Sequence, residues 1–109
     1  MDQEQNKLLQ SSQELQAIFE EILMSDHVYY NPPASVRMTY DAIVFTRSVI
    51  RNTFANNIIY GQKFQYQVTV ITRDPDAPVI GKISGLPMCS HDRHYVADNL
   101  HHNVFTLYF

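Results

Sequence analysis

Tryptophan is absent from this 109-residue chain, glycine occurs only three times and cysteine once. A lone cysteine, Cys89, excludes an internal disulfide, which fits a reducing compartment. The scarcity of glycine leaves no Gly-rich phosphate loop, and neither a GxSxG nor an HExxH pattern is present. No basic segment followed by an apolar run opens the chain, and no stretch approaches the ~20 apolar residues of a membrane span. The expectation is a soluble protein, made inside the cell. Basic residues are also few: eight Lys and Arg against eleven Asp and Glu give a net charge of −3 with neutral histidines. They do not cluster. Sequence-independent grip on nucleic acid needs basic patches, so duplex binding is not expected.

What is present is aromatic and β-branched. Seven tyrosines and six phenylalanines point to a packed, strand-containing domain. The length is that of one domain, residues 1–109. A chain of this size buries roughly two-thirds of its unfolded surface, enough for one core without staples.

Gln5 to Met24 has helical spacing, with Leu8, Leu15, Ile18, Phe19 and Ile22 in one stripe and Gln13, Glu14, Glu20 and Glu21 opposite. A helix of that length spans about 30 Å and is expected to lie across a sheet. Leu9, Leu23 and Met24 widen the stripe, so part of it is expected to meet another subunit. Ser25 to Ser35, with Tyr29, Tyr30 and Pro32-Pro33, is expected to be a connecting loop. Val36 to Phe45 is expected as the first strand, interrupted at Thr46-Arg47-Ser48. Asn52 to Gly61 carries a turn signal at Asn56-Asn57, but Ile58-Ile59-Tyr60 is too apolar for a solvated loop. It is expected to be an excursion that covers a neighbouring subunit.

Lys63 to Arg73 alternates clearly, with Phe64, Tyr66, Val68 and Val70 on the core face and a wetter face opposite. Asp74-Pro75-Asp76-Ala77-Pro78 then suits a helix start, and Val79, Ile80, Ile83 and Leu86 form a short apolar face ended by Pro87. The C-terminal residues 88–109 read as strand, turn, strand around Asp98-Asn99, with a loop longer than two residues. In its second strand Phe105, Leu107 and Phe109 share one face, and the chain end is expected to be tucked into a sheet. The order implies an α+β fold: two helices on one face of a mainly antiparallel sheet that ends in a C-terminal hairpin.

Four of the five histidines lie between His91 and His102, close to Cys89. If the first hairpin strand is regular, Cys89 and His91 share a face while His94 takes the other, and adjacent His101 and His102 diverge. Asp92 and Arg93 would diverge likewise. On that geometry no metal site forms, no catalytic set is assembled, and no cofactor is expected. Cys89 has no activating neighbour such as a helix N-terminus.

Several stretches taken together resemble one family. These are Tyr66-Gln67-Val68-Thr69-Val70-Ile71, Asp74-Pro75-Asp76, Leu86-Pro87-Met88-Cys89, Asp92-Arg93-His94-Tyr95, Ala97-Asp98-Asn99-Leu100 and Phe105-Thr106-Leu107-Tyr108-Phe109. In this order they are similar to the tail-terminator, or tail-completion, proteins of long-tailed non-contractile bacteriophages (siphoviruses) and related prophages. The likeness covers about residues 37–109 and becomes specific from Tyr66. His91 stands where an aromatic is common in the family, and His101 where Asn is common.

The resemblance implies a non-enzymatic virion protein, made in the bacterial cytoplasm, with a tail-tube-like fold. It implies a homo-oligomeric ring, commonly a hexamer, at the head-proximal end of the tail. Its partners would be the tail tube protein and the head connector, with DNA passing through the lumen unbound. Candidate interface residues are Ile58, Ile59, Tyr60, Tyr29, Tyr30, Asp98, Asn99, His101 and His102. The competing expectations are another connector layer, such as a stopper or minor capsid protein, or a small metal-binding protein.

Overall fold

The computed structural model describes residues 3–55 and 58–109, with side chains for 6–48 and 64–109. The chain is α+β. Helix α1 (Gln3–Leu23) is followed by β1 (Val28–Tyr30), β2 (Ala42–Ala55), β3 (Ile58–Thr72), helix α2 (Pro78–Ser84), β4 (Cys89–Ala97) and β5 (Leu100–Tyr108). The five strands form one sheet in the order β1-β2-β3-β5-β4. Only β1–β2 is parallel; the other pairs are antiparallel.

Alternation along β3 determines the sheet's buried face. Phe64, Tyr66, Val68 and Val70 are all buried, and across β2 and β5 they meet Ile43, Phe45, Phe105 and Leu107. Both helices cover this face. Helix α1 contributes Leu15 and Phe19, α2 contributes Val79 and Ile83, and Leu8, Ile18, Ile22 and Phe109 pack at the periphery. Phe19 and Phe45 meet edge to face at 5.2 Å, an arrangement favoured by the ring quadrupoles. Helix α1 is also tied to β1, because Gln16 Nε2 donates to the Val28 carbonyl at 2.8 Å.

Both helix ends follow from local chemistry. Met24 takes φ 60° after the last helical residue, and the Ser25 N–H reaches back to the Glu20 carbonyl. That is the six-to-one bond of a Schellman cap, formed without glycine. Helix α2 starts on Pro78, whose missing N–H would be unpaired there anyway. The expected acidic cap is not its N-cap residue, which is Ala77 and makes no side-chain bond. Asp74 instead accepts from the Asp76 N–H two residues on, shaping the turn before the helix.

Several expectations are corrected. Val28–Tyr30, inside the expected loop, is a short strand, whereas the expected strand over Val36–Asp41 is irregular and β2 begins at Ala42. A three-residue strand is too short to show alternation, and the apparent alternation of Val36, Met38 and Tyr40 is not matched by any partner strand. The segment folds back instead, so that the Thr39 N–H donates to the Tyr29 hydroxyl at 3.0 Å. Thr46-Arg47-Ser48 does not interrupt β2, because a bulge between Arg47 and Val49 absorbs Ser48. The expected wet face of the sheet is partly closed: Ala42, Ile71 and Val104 are buried there.

The expected excursion at Asn52 to Gly61 is hairpin. Strands β2 and β3 stay paired up to Ala55↔Ile58, and Asn56 and Asn57 lie outside the described residues. β3 leaves its other partner much earlier, at Gln65↔Tyr108 and the mutual bonds of Phe64 with Phe109. From there, among the described residues, no third strand pairs with the β2–β3 ribbon. The radius of gyration is 15.0 Å, against ~13 Å for a compact chain of this length.

Candidate functional site

The C-terminal hairpin concentrates the polar chemistry of the sheet, and its turn governs how that chemistry is presented. Asp98 and Asn99 have φ of 54° and 63°, and Ala97 pairs with Leu100. Two left-handed residues between paired neighbours make a type I′ turn. The loop is therefore two residues long, not longer, and β5 starts at Leu100 because Asp and Asn tolerate the left-handed region.

A second device shifts the side chains. His91 pairs with Phe105 but Arg93 pairs with Val104, so Asp92 is a bulge. The extra residue reverses the alternation beyond it. His91 and His94 consequently share the helix-side face with Cys89, where a regular strand would have separated them. On this face His91 Nε2 lies 3.0 Å from Asn103 Oδ1, and its ring meets Phe105 edge-on. His94 Nε2 lies 3.0 Å from His101 Nδ1, with the two rings nearly parallel at 15°.

The other face carries a separate group. Tyr95 stacks on His102 with centroids 4.6 Å apart, and the Arg93 guanidinium lies over Tyr95. Thr106 donates to the Asp92 carboxylate, which brings Asp92 to the same side as Arg93. The expectation that these two charges diverge is thus overturned by the same bulge. His101 and His102 do diverge, as adjacent strand residues must.

The remaining candidate residues do not converge. Tyr29 pairs opposite Val44 and bonds to the segment before β2, while Tyr30 lies on the helix side against Phe45. Ile58, Ile59 and Tyr60 belong to the backbone of β3, and their side chains lie outside the described residues. Their strand registers put the free ribbon at one end of the sheet. The Asp98–Asn99 turn, beyond Thr72↔His101, lies at the other.

Cys89 is half-buried, and its thiol pKa is raised above 9.0, first by loss of hydration and then by the Asp92 charge. The thiolate is disfavoured, so neither nucleophilic attack nor thiolate ligation is promoted here. Among the described residues no set of three His, Cys, Asp or Glu side chains could hold a metal ion.

Two features were not legible in the sequence. An apolar groove of about 450 Å³ runs between α1 and the C-terminal strands, lined by Leu15, Ile18, Leu86, Pro87, Leu107 and Phe109. Beneath α1, Arg47 donates to the Leu8 carbonyl and the Tyr66 hydroxyl, with the Phe64 and Tyr66 rings 5.1 and 5.3 Å from its guanidinium carbon. The available signal was an arginine in period-two register with the core residues Ile43 and Phe45. No family model, curated protein or solved structure matches this chain. No described helix is long and apolar enough to cross a membrane.

Proposed function

We propose that this chain is a structural virion subunit. It forms a ring that caps the head-proximal end of a phage tail tube and presents a joint to the head connector. The carrying observation is the β2–β3 ribbon, which remains paired to Ala55↔Ile58 well beyond the last bond to β5. A free two-stranded ribbon is marginal in water, and this one includes Val49, Ile50, Phe54, Ile58, Ile59 and Tyr60. Such a sequence needs a neighbour, and identical neighbours in a closed ring supply one at every position.

The two ends of the sheet also differ in kind. The ribbon end mixes Ile50, Phe54, Ile58 and Ile59 with the cations Arg51 and Lys63, while the opposite end is the Asp98–Asn99 turn with His101 and His102 nearby. A terminator must match a growing tube on one side and mismatch it on the other, because head-to-tail addition has no intrinsic stop. Unlike ends suit that task. The resemblance over residues 66–109 selects this reading among ring-forming proteins. A net charge of −3 suits a lumen through which DNA slides without adhering. The chain acts by occupying a surface, without catalysis or cofactor.

The test is genetic and direct. Phage lacking the gene should make full heads and separate tails that never join, with some tubes longer than normal. Purified protein should bind tube ends in preference to the portal. Preferential binding to the portal would indicate another connector layer instead. Ordinary joined particles that fail only at DNA entry or lysis would overturn the reading.

A further inference from the structure

We propose that His94 and His101 form a bidentate, solvent-accessible site for a divalent transition-metal ion such as Cu²⁺, Ni²⁺ or Zn²⁺. The site is independent of ring formation. Its basis is the distance between the two ring nitrogens that face each other, 3.0 Å from His94 Nε2 to His101 Nδ1. Two imidazole nitrogens each ~2.0–2.1 Å from one metal, at right angles to each other, are themselves about 3 Å apart. The strands therefore need not move. The lone pairs now address one another along a hydrogen bond, and a tilt of both rings about their broad terminal torsions turns them to a common point.

The hairpin preorganises this pair. The type I′ turn at Asp98–Asn99 sets the register Val96↔His101 and His94↔Asn103, and the Asp92 bulge turns His94 to the same face as His101. The rings already lie nearly parallel, with centroids 5.3 Å apart. His94 is exposed and His101 half-buried, on the edge strand and its neighbour, so an ion reaches them without passing through the core. A chelate whose ligands are held in advance loses little freedom on binding.

The neighbouring donors define what kind of site this is. His91 is engaged with Asn103, and His102 faces the other side against Tyr95. The Cys89 thiol is held protonated by burial, and no third His, Cys, Asp or Glu converges among the described residues. Two imidazoles thus supply two positions, and water fills the rest. This is an open chelate rather than a closed structural centre. Imidazole donors favour Cu²⁺, Ni²⁺ and Zn²⁺ over Mg²⁺ or Ca²⁺, with Cu²⁺ held most tightly.

The proton balance is simple. In the neutral pair one N–H lies between the rings; on binding, that proton moves to the far nitrogen of its own ring. No net proton is released, and no bond to carbon changes.

The experiment uses the full chain carrying Cys89→Ser, which keeps a thiol away from copper, titrated with Cu²⁺ alone at neutral pH. Calorimetry should give one equivalent per chain, and electron paramagnetic resonance should show coupling to two nitrogens. His94→Gln and His101→Gln should each weaken binding by at least about ten-fold, since each leaves a single tethered donor. His102→Gln should leave it unchanged. Circular dichroism checks that each variant is folded, and a Cu²⁺-induced rise in Tm that His101→Gln abolishes is an independent readout. Affinity in the His94→Gln and His101→Gln variants equal to that of the Cys89→Ser parent would overturn the site. So would a one-nitrogen spectrum with several weak equivalents, the mark of scattered surface imidazoles.

Discussion

The Ser11 hydroxyl and the Tyr66 hydroxyl lie 2.7 Å apart, joining α1 to the centre of the sheet across fifty-five residues of sequence. Tyr66 is fully buried, so its oxygen has no recourse to water. Arg47 Nη2 donates to it at 3.0 Å and to the Leu8 carbonyl at 2.7 Å. The Tyr66 hydroxyl can therefore accept from Arg47 and donate to Ser11. Serines at 11 and 12 also leave room for this contact within a stripe otherwise made of Leu, Ile and Phe. Arginine suits the position because its weakly hydrated plane stacks on aromatic faces while its N–H groups find oxygens.

Tyr66→Phe removes the shared oxygen and keeps the ring. It should destabilise the fold by about 1–3 kcal/mol, because Arg47 and Ser11 then lose a buried partner. Urea unfolding of the single variants, Ser11→Ala and the double variant gives the coupling. An additive double variant would show that the two hydroxyls do not interact in solution.

Met24 is 84% exposed and holds φ 60°, so its side chain contributes little packing while its β-carbon strains the cap. Met24→Gly should stabilise the protein by about 1 kcal/mol, the usual penalty of a left-handed non-glycine residue. A lower urea midpoint in the glycine variant would contradict the Schellman geometry at the end of α1.

Cys89 sets a pH dependence of defined sign. Its folded pKa is raised by burial and then by Asp92, so the folded state keeps its proton when an unfolded chain would lose it. The associated stability is fully present below the unfolded pKa and is lost as pH rises through the folded value. Comparing wild type with Cys89→Ser isolates this contribution, which should appear only above about pH 9. Iodoacetamide should alkylate Cys89 more slowly in the native protein than in urea. Equal rates would mean that the thiol is solvated.

Ile59→Asp tests the ribbon. The substitution puts a charge on a segment of β3 that pairs with β2 and not with β5, so circular dichroism should be unchanged while native mass spectrometry shows smaller assemblies. Joint loss of fold and assembly would make Ile59 a core residue of the monomer instead.

Residue order alone determined the elements whose signals are local. The stripe from Leu8 to Ile22 specifies α1, the alternation from Phe64 to Val70 specifies β3, and the turn residues Asp98 and Asn99 mark the hairpin. These patterns depend on neighbours three or four positions away in a helix, or two in a strand. Only the tertiary structure decided what depends on distant partners. Val28–Tyr30 is a strand because Ile43 to Phe45 lies beside it, and the ribbon at Ile58 to Tyr60 is visible only once β2 and β3 are paired. The facing of the histidines was likewise hidden. Strict alternation sends His94 away from His91, but a one-residue bulge at Asp92, specified by pairing with Phe105 and Val104, brings them to one side. A period-two pattern reverses whenever a single residue is left unpaired, and whether one is left unpaired is decided across the sheet rather than along the chain.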